Sequence, residues 1–489
     1  MGQGNKNLNR NSSRNAEPAL LQKIDINSAK KGSKDSVSIL GGTVRLLYWE
    51  SILSDSIRAS VTFTDAGNTL STTKMTGRGR KPTAKKVSAV EGLPIEGSEE
   101  VYLKFTDNNG VTLEFGKKNK NSLFVNKITH LSTGSETTDK TYKLDLAPLE
   151  WITNEKGGYQ VRKAYSGQIS DSARKILKRV LKTKKKLDIE KTNSTLDFCG
   201  HNTKPYFTLN DLATKAVSKD TKKTGETAGY FFWETATSYH FKSIDTLMSQ
   251  DFEKSFLYNE SSEGLPKGYN AKALSMETEN KVNVQKKLSM GAYSNRYISL
   301  NPFSGEYTNK LNDAWLYSEG NEVKLGAEEL PALNDAFNVE EADTEFSKTF
   351  YQLASTGQLN VGPIADQLKN SKELNFDSGA IFNQAKMRYN QLFASQVTIV
   401  IPGDFSLHAG DSVYFDPPQT GTTENKACGD QVDERTGGKY LITDLCHHIT
   451  AMDTYTKLVL TRDSFGRTGS PSNGKSKSDE DPYEGIWTL

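Results

Sequence analysis

Residues 396–402 read Gln-Val-Thr-Ile-Val-Ile-Pro, and no other stretch constrains the fold as much. Val397, Ile399 and Ile401 fall on one face of a strand and Thr398 and Val400 on the other. Pro402-Gly403 then ends pairing with a fixed φ followed by a permissive one. Leu407 leads through Ala409-Gly410-Asp411, a turn that feeds Val413-Tyr414-Phe415, so Pro402, Gly403, Gly410 and Asp411 form the turn signature of this segment. Gly437-Gly438 opens a strand at 440–442, and 455–461 supplies another, with Leu458 and Leu460 opposite Lys457 and Val459. About four short strands at this spacing are too few for an open, exposed sheet, so closure into a small barrel or a partner must protect their edges.

A related pattern lies near the start. Strands are expected around Val37 and Ile39, at 44–50 and 60–65, and again at 101–105, 111–115, 123–128 and 142–146, with Asn108-Asn109-Gly110 as a hairpin turn. Between the two β regions the period changes. Ala173, Ile176, Leu177, Val180 and Leu181 make an apolar helical stripe with Ser170 as N-cap, and Leu209, Leu212, Ala213, Ala216 and Val217 make a second, capped by Thr208. Two aromatic strands follow at 230–234 and 239–242. A strand near 297–300, a polar insertion at about 306–375 and a helix at about 379–394 precede Val397.

The expected organisation is an extended arm at 1–35, a first barrel at 36–165, a small α/β domain at 166–249, and a second barrel from 250–305 with 396–467. An insertion at 306–395 and a flexible tail at 468–489 complete it. The 489 residues suit several cores; Lys and Arg total 62 against 60 Asp and Glu, so no global field recruits nucleic acid or acidic lipid. Only 35% of residues are hydrophobic, which implies polar loops or area buried between subunits. Cys199, Cys428 and Cys446 are too few for a disulfide framework and suit a reducing cytoplasm. No apolar run approaches a membrane span, the first residues lack a signal-peptide core, and Lys6 stands where acylation needs Ser or Thr.

The sequence carries no G-x-S-x-G, H-E-x-x-H, phosphate-cradling Gly-Lys-Ser/Thr loop or C-x-x-C pair. Cys446-His447-His448 is the best metal candidate, with Cys199 and His201 as remote partners. Adjacent strand side chains point to opposite faces, so no metal is expected. Acidic pairs such as Glu99-Glu100 and Glu340-Glu341 lack a sugar-binding aromatic cluster and read as solvated surface. The basic run at 76–86, with Arg78, Arg80, Lys81, Lys85 and Lys86, is the candidate channel-facing or DNA-facing loop, although no aromatics interleave it for base stacking. Tyr483, Ile486, Trp487 and Leu489 form a candidate docking tail. No catalytic set and no cofactor site is expected.

Several segments in this order resemble the central baseplate hub protein of contractile-tailed, T-even-type bacteriophages, a family that shares its fold with the N-terminal part of VgrG in type VI secretion. They are 44–65, 93–105, 165–170, 230–247, 291–296 and 397–467. The resemblance implies a mainly β fold with α+β insertions, with two tube-type β-barrel domains per chain plus a small α/β domain. It implies a homotrimer that presents six barrels to the tail tube protein and a three-fold face to the central spike protein, located in the virion tail baseplate after assembly in the host cytoplasm. Tape-measure protein, baseplate wedge proteins and DNA passing transiently through the lumen are the further implied partners. The rival expectations are a tail-associated cell-wall hydrolase, the equivalent hub of a non-contractile tail, and a nucleic-acid-binding module.

Overall fold

Where apolar residues alternate, the chain forms strands. The computed structural model describes residues 17–29, 36–65, 70–74, 83–87, 93, 95–133, 139–193, 195–219, 228–258, 265–280, 283–300, 305, 307–313, 324–326, 334, 346–353, 378–419 and 432–471. The first region holds β1 (Leu20–Asn27), β2 (Ser36–Ser38), β3 (Thr43–Ser51), β4 (Arg58–Asp65), a β5 (Leu70–Lys74) and β6 (Thr83–Val87) hairpin, β7 (Glu100–Thr106), β8 (Thr112–Phe115), β9 (Leu123–Thr133) and β10 (Lys140–Pro148). The α/β unit follows with α1 (Leu149–Asn154), β11 (Ala164–Tyr165), α2 (Ile169–Lys175), β12 (Lys186–Ile189), β13 (Phe198–Cys199), α3 (Pro205–Ala213), β14 (Tyr230–Glu234), β15 (Ser238–Ser243) and α4 (Ile244–Ser249). The last region holds β16 (Lys254–Leu257), β17 (Ala271–Lys272), β18 (Ser275–Asn280), α5 (Val284–Met290), β19 (Ser294–Leu300), β20 (Tyr307–Asp313) and β21 (Lys348–Leu353). After these come α6 (Ser378–Leu392), β22 (Ser395–Pro402), β23 (Ser412–Asp416), β24 (Gly438–Thr450) and β25 (Thr454–Arg462).

Fifteen of these strands belong to one mixed sheet. Its backbone is a band of eight antiparallel strands in the order β18-β22-β25-β24-β3-β4-β10-β9, four from each β region. The regions meet at β24 and β3, where the register runs from Asp444 opposite Ser51 to Thr450 opposite Arg45. Two barrels were the expectation; one sheet runs through both regions, and no sheet among the described residues closes as a barrel. The physical reason is that β24 takes the edge of β3, so that edge is protected within the chain.

Each region also contains a bent run that reaches from one end of its strands to the other. Residues 36–51 pair with β1 through β2, donate Ile39 N to the Ile24 carbonyl at 3.0 Å, and pair with β4 through β3. Residues 271–280 pair with β16 through β17 and with β22 through β18, and between them Leu274 N donates to the Val400 carbonyl at 2.6 Å.

The three largest apolar cores among the described residues follow from this layout. The first is lined by Leu46, Tyr48, Phe63, Leu103, Phe105 and Phe115, the second by Ile399, Leu407, Phe415, Ile442 and Leu458. Between them the α/β unit packs Ile176, Leu209, Phe232 and Tyr239.

Several local expectations change. Residues 20–27 lie within the expected arm, but Ile24 and Ile26 are buried and β1 pairs with β7. Ser170 sits inside α2, exchanging hydrogen bonds with Thr192; Thr208 likewise lies inside α3, which starts at Pro205, where a missing N–H costs nothing. The strand at 294–300 leaves the second β region and joins β20 and β21 in a separate sheet, because its buried face, including Tyr297, packs on α6.

Candidate functional site at a three-way junction

The loop between β22 and β23 is where the units meet. Pro402 ends the strand, and Gly403 donates its N–H to the Thr454 carbonyl at 3.1 Å; a Cβ there would fall 2.5 Å from Thr454 Cγ2, so the close approach requires glycine. The loop then leaves its own region. Phe405 is fully buried in the first core, edge-on to Phe105 with ring centroids 5.2 Å apart, and its N–H donates to Asp107 Oδ2 at 2.9 Å. Asp107 also accepts from Val111 N at 2.8 Å, so one carboxylate ties the β7–β8 turn to the visiting loop.

Gly410 has φ +94°, and a Cβ would fall 2.6 Å from the Trp233 ring. Trp233 Nε1 donates to the Ala409 carbonyl at 2.9 Å, joining the loop to β14. Asp411 Oδ2 accepts from His408 N at 2.8 Å and its carbonyl accepts from Ile442 N at 2.9 Å, which returns the chain to its own sheet. Burial pushes the Asp411 carboxyl up to about 6, against the pull of His408. The four residues of the turn signature therefore bracket one crossing loop.

At its centre lies Glu50, which is fully buried. Its Oε1 accepts from the Tyr48 hydroxyl at 2.7 Å and Ala236 N at 2.8 Å, and Oε2 accepts from Ala409 N at 3.0 Å. His408 Nδ1 lies 3.1 and 3.2 Å from the two oxygens. Burial favours the neutral acid, yet His408 and the hydrogen bonds of Tyr48 and Ala236 prevail and hold the carboxyl at about 2. Burial likewise disfavours His408 as a cation, and the Glu50 charge overcomes it, raising the imidazole to about 9. His447, on the inward face of β24, has no such partner; burial lowers it to about 3 while Nδ1 lies 2.9 Å from Thr456 Oγ1.

A second buried carboxylate joins the α/β unit to the first β region. Glu234 accepts from Ser56 Oγ at 2.8 Å and Ile57 N at 3.2 Å and pairs with Lys185; burial pushes its carboxyl upward, with Lys185 opposing. Asn121 Nδ2 donates to the Ala236 carbonyl at 3.2 Å, and Asn210 Nδ2 to Asp55 Oδ1 at 2.6 Å. Arg388 on α6 is anchored to Asp245 at 2.7 Å.

One arrangement has the outline of a nucleophilic relay. Ser238 Oγ lies 2.9 Å from His240 Nε2, and His240 Nδ1 lies 3.1 Å from Asp188 Oδ2. Thr235 Oγ1 shares the same Nε2 at 3.1 Å, Ser238 is buried, and the imidazole stacks on Trp233 at 4.8 Å. These contacts brace the β14–β15 hairpin, and a serine whose base is shared and whose oxygen is covered is poorly placed to attack a substrate.

Of the remaining expected site residues, Lys85 and Lys86 lie on β6 opposite Thr72 and Ser71. Arg78, Arg80 and Lys81, and the tail residues Tyr483, Ile486, Trp487 and Leu489, lie outside the described residues. Cys446 and His448 share the face of β24 opposite His447, as alternation requires, and among the described residues no cluster of His, Cys, Asp or Glu could hold a metal. Sequence reasoning missed Glu50, His408, Asp107 and Glu234. One signal was available: Leu46, Tyr48 and Glu50 share the inward register of β3, so an acid sits where the pattern calls for an apolar residue.

No protein-family model matches the chain, and no curated protein matches it. Among solved structures it is similar to a tail protein from Neisseria meningitidis MC58, at 10% identity and TM-score 0.45 over 90% of this chain and 96% of that one. The 43 kDa tail protein of prophage MuSo2 from Shewanella oneidensis gives 8% identity and TM-score 0.46 over 91% and 99%. An E. coli component of the type VI secretion system, described as structurally similar to T4 bacteriophage tail proteins, gives 10% identity and TM-score 0.41 over 92% and 80%.

Proposed function

We propose that the chain is a non-enzymatic structural component of a phage tail baseplate, the central hub that adapts a six-fold tail tube to a three-fold spike. The observation that carries this reading is the eight-stranded antiparallel band, with four strands from each β region joined at β24 and β3. Three copies placed end to end would supply six such quartets, and among the described residues the ends available for joining are β18 and the part of β9 beyond Val125, since residues 98–101 cover β9 only from Leu123 to Val125. The bent runs 36–51 and 271–280 support reading each region as a tube-type barrel closed by a strand that changes partners. On this reading the first barrel spans 36–165 with β1 added, and the second combines 250–280 with 395–467.

The band alternates as a wall should. Arg45, Arg58 and Lys457 are exposed on the face that Leu47 and Trp49 share, while Leu46, Val61 and Leu458 point into the cores. Facing a lumen, this surface would offer scattered cations to tape-measure protein and then to DNA, beside any contribution from the basic run 76–86. Tail tube, spike and wedge proteins are the remaining partners, and the C-terminal apolar residues are a docking hook for one of them.

Mass measurement of the purified chain, alone and with its spike, tests the proposal: a trimer in either state is expected, and a stable isolated dimer overturns it. The crossing loop gives no support to the hydrolase alternative; clearing of peptidoglycan in a zymogram would restore it. A sheath gene beside this one separates the contractile hub from its non-contractile equivalent. Removing residues 480–489 should impair assembly with the spike, and unchanged assembly rules out the hook.

A further inference from the structure

We propose that the His408–Glu50 ion pair is the lock that holds the two β regions and the α/β unit in register, so that neutralising either partner releases the crossing loop while each core stays folded. The proposal stands on geometry and does not depend on the oligomeric state. One carboxylate receives hydrogen bonds from β3, from the β14–β15 turn and from the loop, and His408 is the only cationic group placed against it among the described residues. Around it, Trp233 to Ala409 and Asn121 to Ala236 are neutral hydrogen bonds, which are individually weaker, and the carboxylate ties at Asp107 and Glu234 each join only two of the three units.

The charged and titratable groups facing the pair come from every element packed on it. Tyr48 lies beside Glu50 on β3, His447 faces from β24, and Glu234 faces Tyr48 from β14. Asp404 and Asp411 face His408 from its own loop, and Asp404 is itself paired with Lys254 of β16. The acids favour the cation, so the lock is shut around neutrality.

Its pH limits follow from the two shifts. His408 rises from 6.5 to about 9, so its contribution is complete below 6.5 and is lost as the pH climbs through 9. Glu50 falls from 4.5 to about 2, so its contribution is complete above 4.5 and is lost as the pH drops through 2. Asp411 works in the other direction: its raised value costs stability as the pH climbs from 3.8 to about 6, and that cost is constant above 6.

Hydrogen exchange on the full-length protein, read by mass spectrometry, tests this. In wild type near neutral pH, peptides containing Ala236 and Ala409 should be protected. In His408→Gln and Glu50→Gln they should exchange at least roughly tenfold faster, with peptides from β10 and β25 unchanged. Equal protection in the variants overturns the proposal, and so does uniform loss of protection across β10 and β25, which would make the pair part of one global core. Wild type alone provides a second arm free of any substitution. After correction for intrinsic exchange, the same two peptides should lose protection between pH 8 and pH 10 while β10 and β25 keep theirs; no selective loss overturns the proposal equally.

Discussion

The two β regions are built alike and held differently. The core of the second is composed of its own residues, from Phe256 to Leu460. The first borrows: Phe405 and Ile449 reach it from the second region, and Ala236 from the α/β unit. Similar strand layouts can therefore differ in autonomy, because autonomy depends on which side supplies the last buried side chains. The second region donates a loop and keeps its core, whereas the first is completed from outside.

Phe405→Ala should break this comparison most forcefully. Loss of a buried aromatic costs about 3–5 kcal/mol, and the loss should appear as destabilisation of the first region although the residue belongs to the second. Denaturant melts combined with exchange of β7 and β9 peptides would check it. The counterpart, Leu458→Ala, should cost about 2–5 kcal/mol within the second region, with its exchange effect confined to β22 through β25.

Glu50→Ala removes the buried acceptor shared by Tyr48, Ala236 and Ala409 and the charge that holds His408 protonated; with the His408 side chain 26% exposed, the cost should be about 2–3 kcal/mol. The penalty should shrink as the pH is raised past 9, where His408 is neutral, and urea melts across that range would show the convergence. Gly410→Ala acts on a smaller scale. Positive φ and the closeness of Trp233 together make a cost of about 1–3 kcal/mol reasonable, visible as a shifted Trp233 emission on melting. The smallest effect belongs to Lys143→Ala. The Lys143–Asp145 pair is about one-third exposed and screened, so its loss should change stability by no more than about 0.5 kcal/mol.

Much of the strand content was legible because alternation is local. The segments 397–401, 101–105 and 230–234 needed nothing beyond their own residues to be placed. The partner of β3 was not legible, because Leu47 lies opposite His448 and nothing in either strand names the other. The turn signature at 402–411 was found for its backbone chemistry, while its purpose depended on Asp107, Trp233 and Glu50 from three distant segments. Ser170 and Thr208 show the limit of cap signals: each has the right side chain, but Gln168 and Lys204 occupy the boundary positions.

The pairing of Leu47 with His448 also has a consequence in time. On the ribosome β3 emerges early, and roughly 400 further residues must follow before its neighbour exists. At about 5–20 residues per second that interval is roughly 20–80 s. Throughout it, the nascent first region carries an unclaimed strand and a gap where Phe405 belongs. The most vulnerable moment of this protein therefore precedes its completion, and a chaperone or a slowed codon would have its largest effect on yield there.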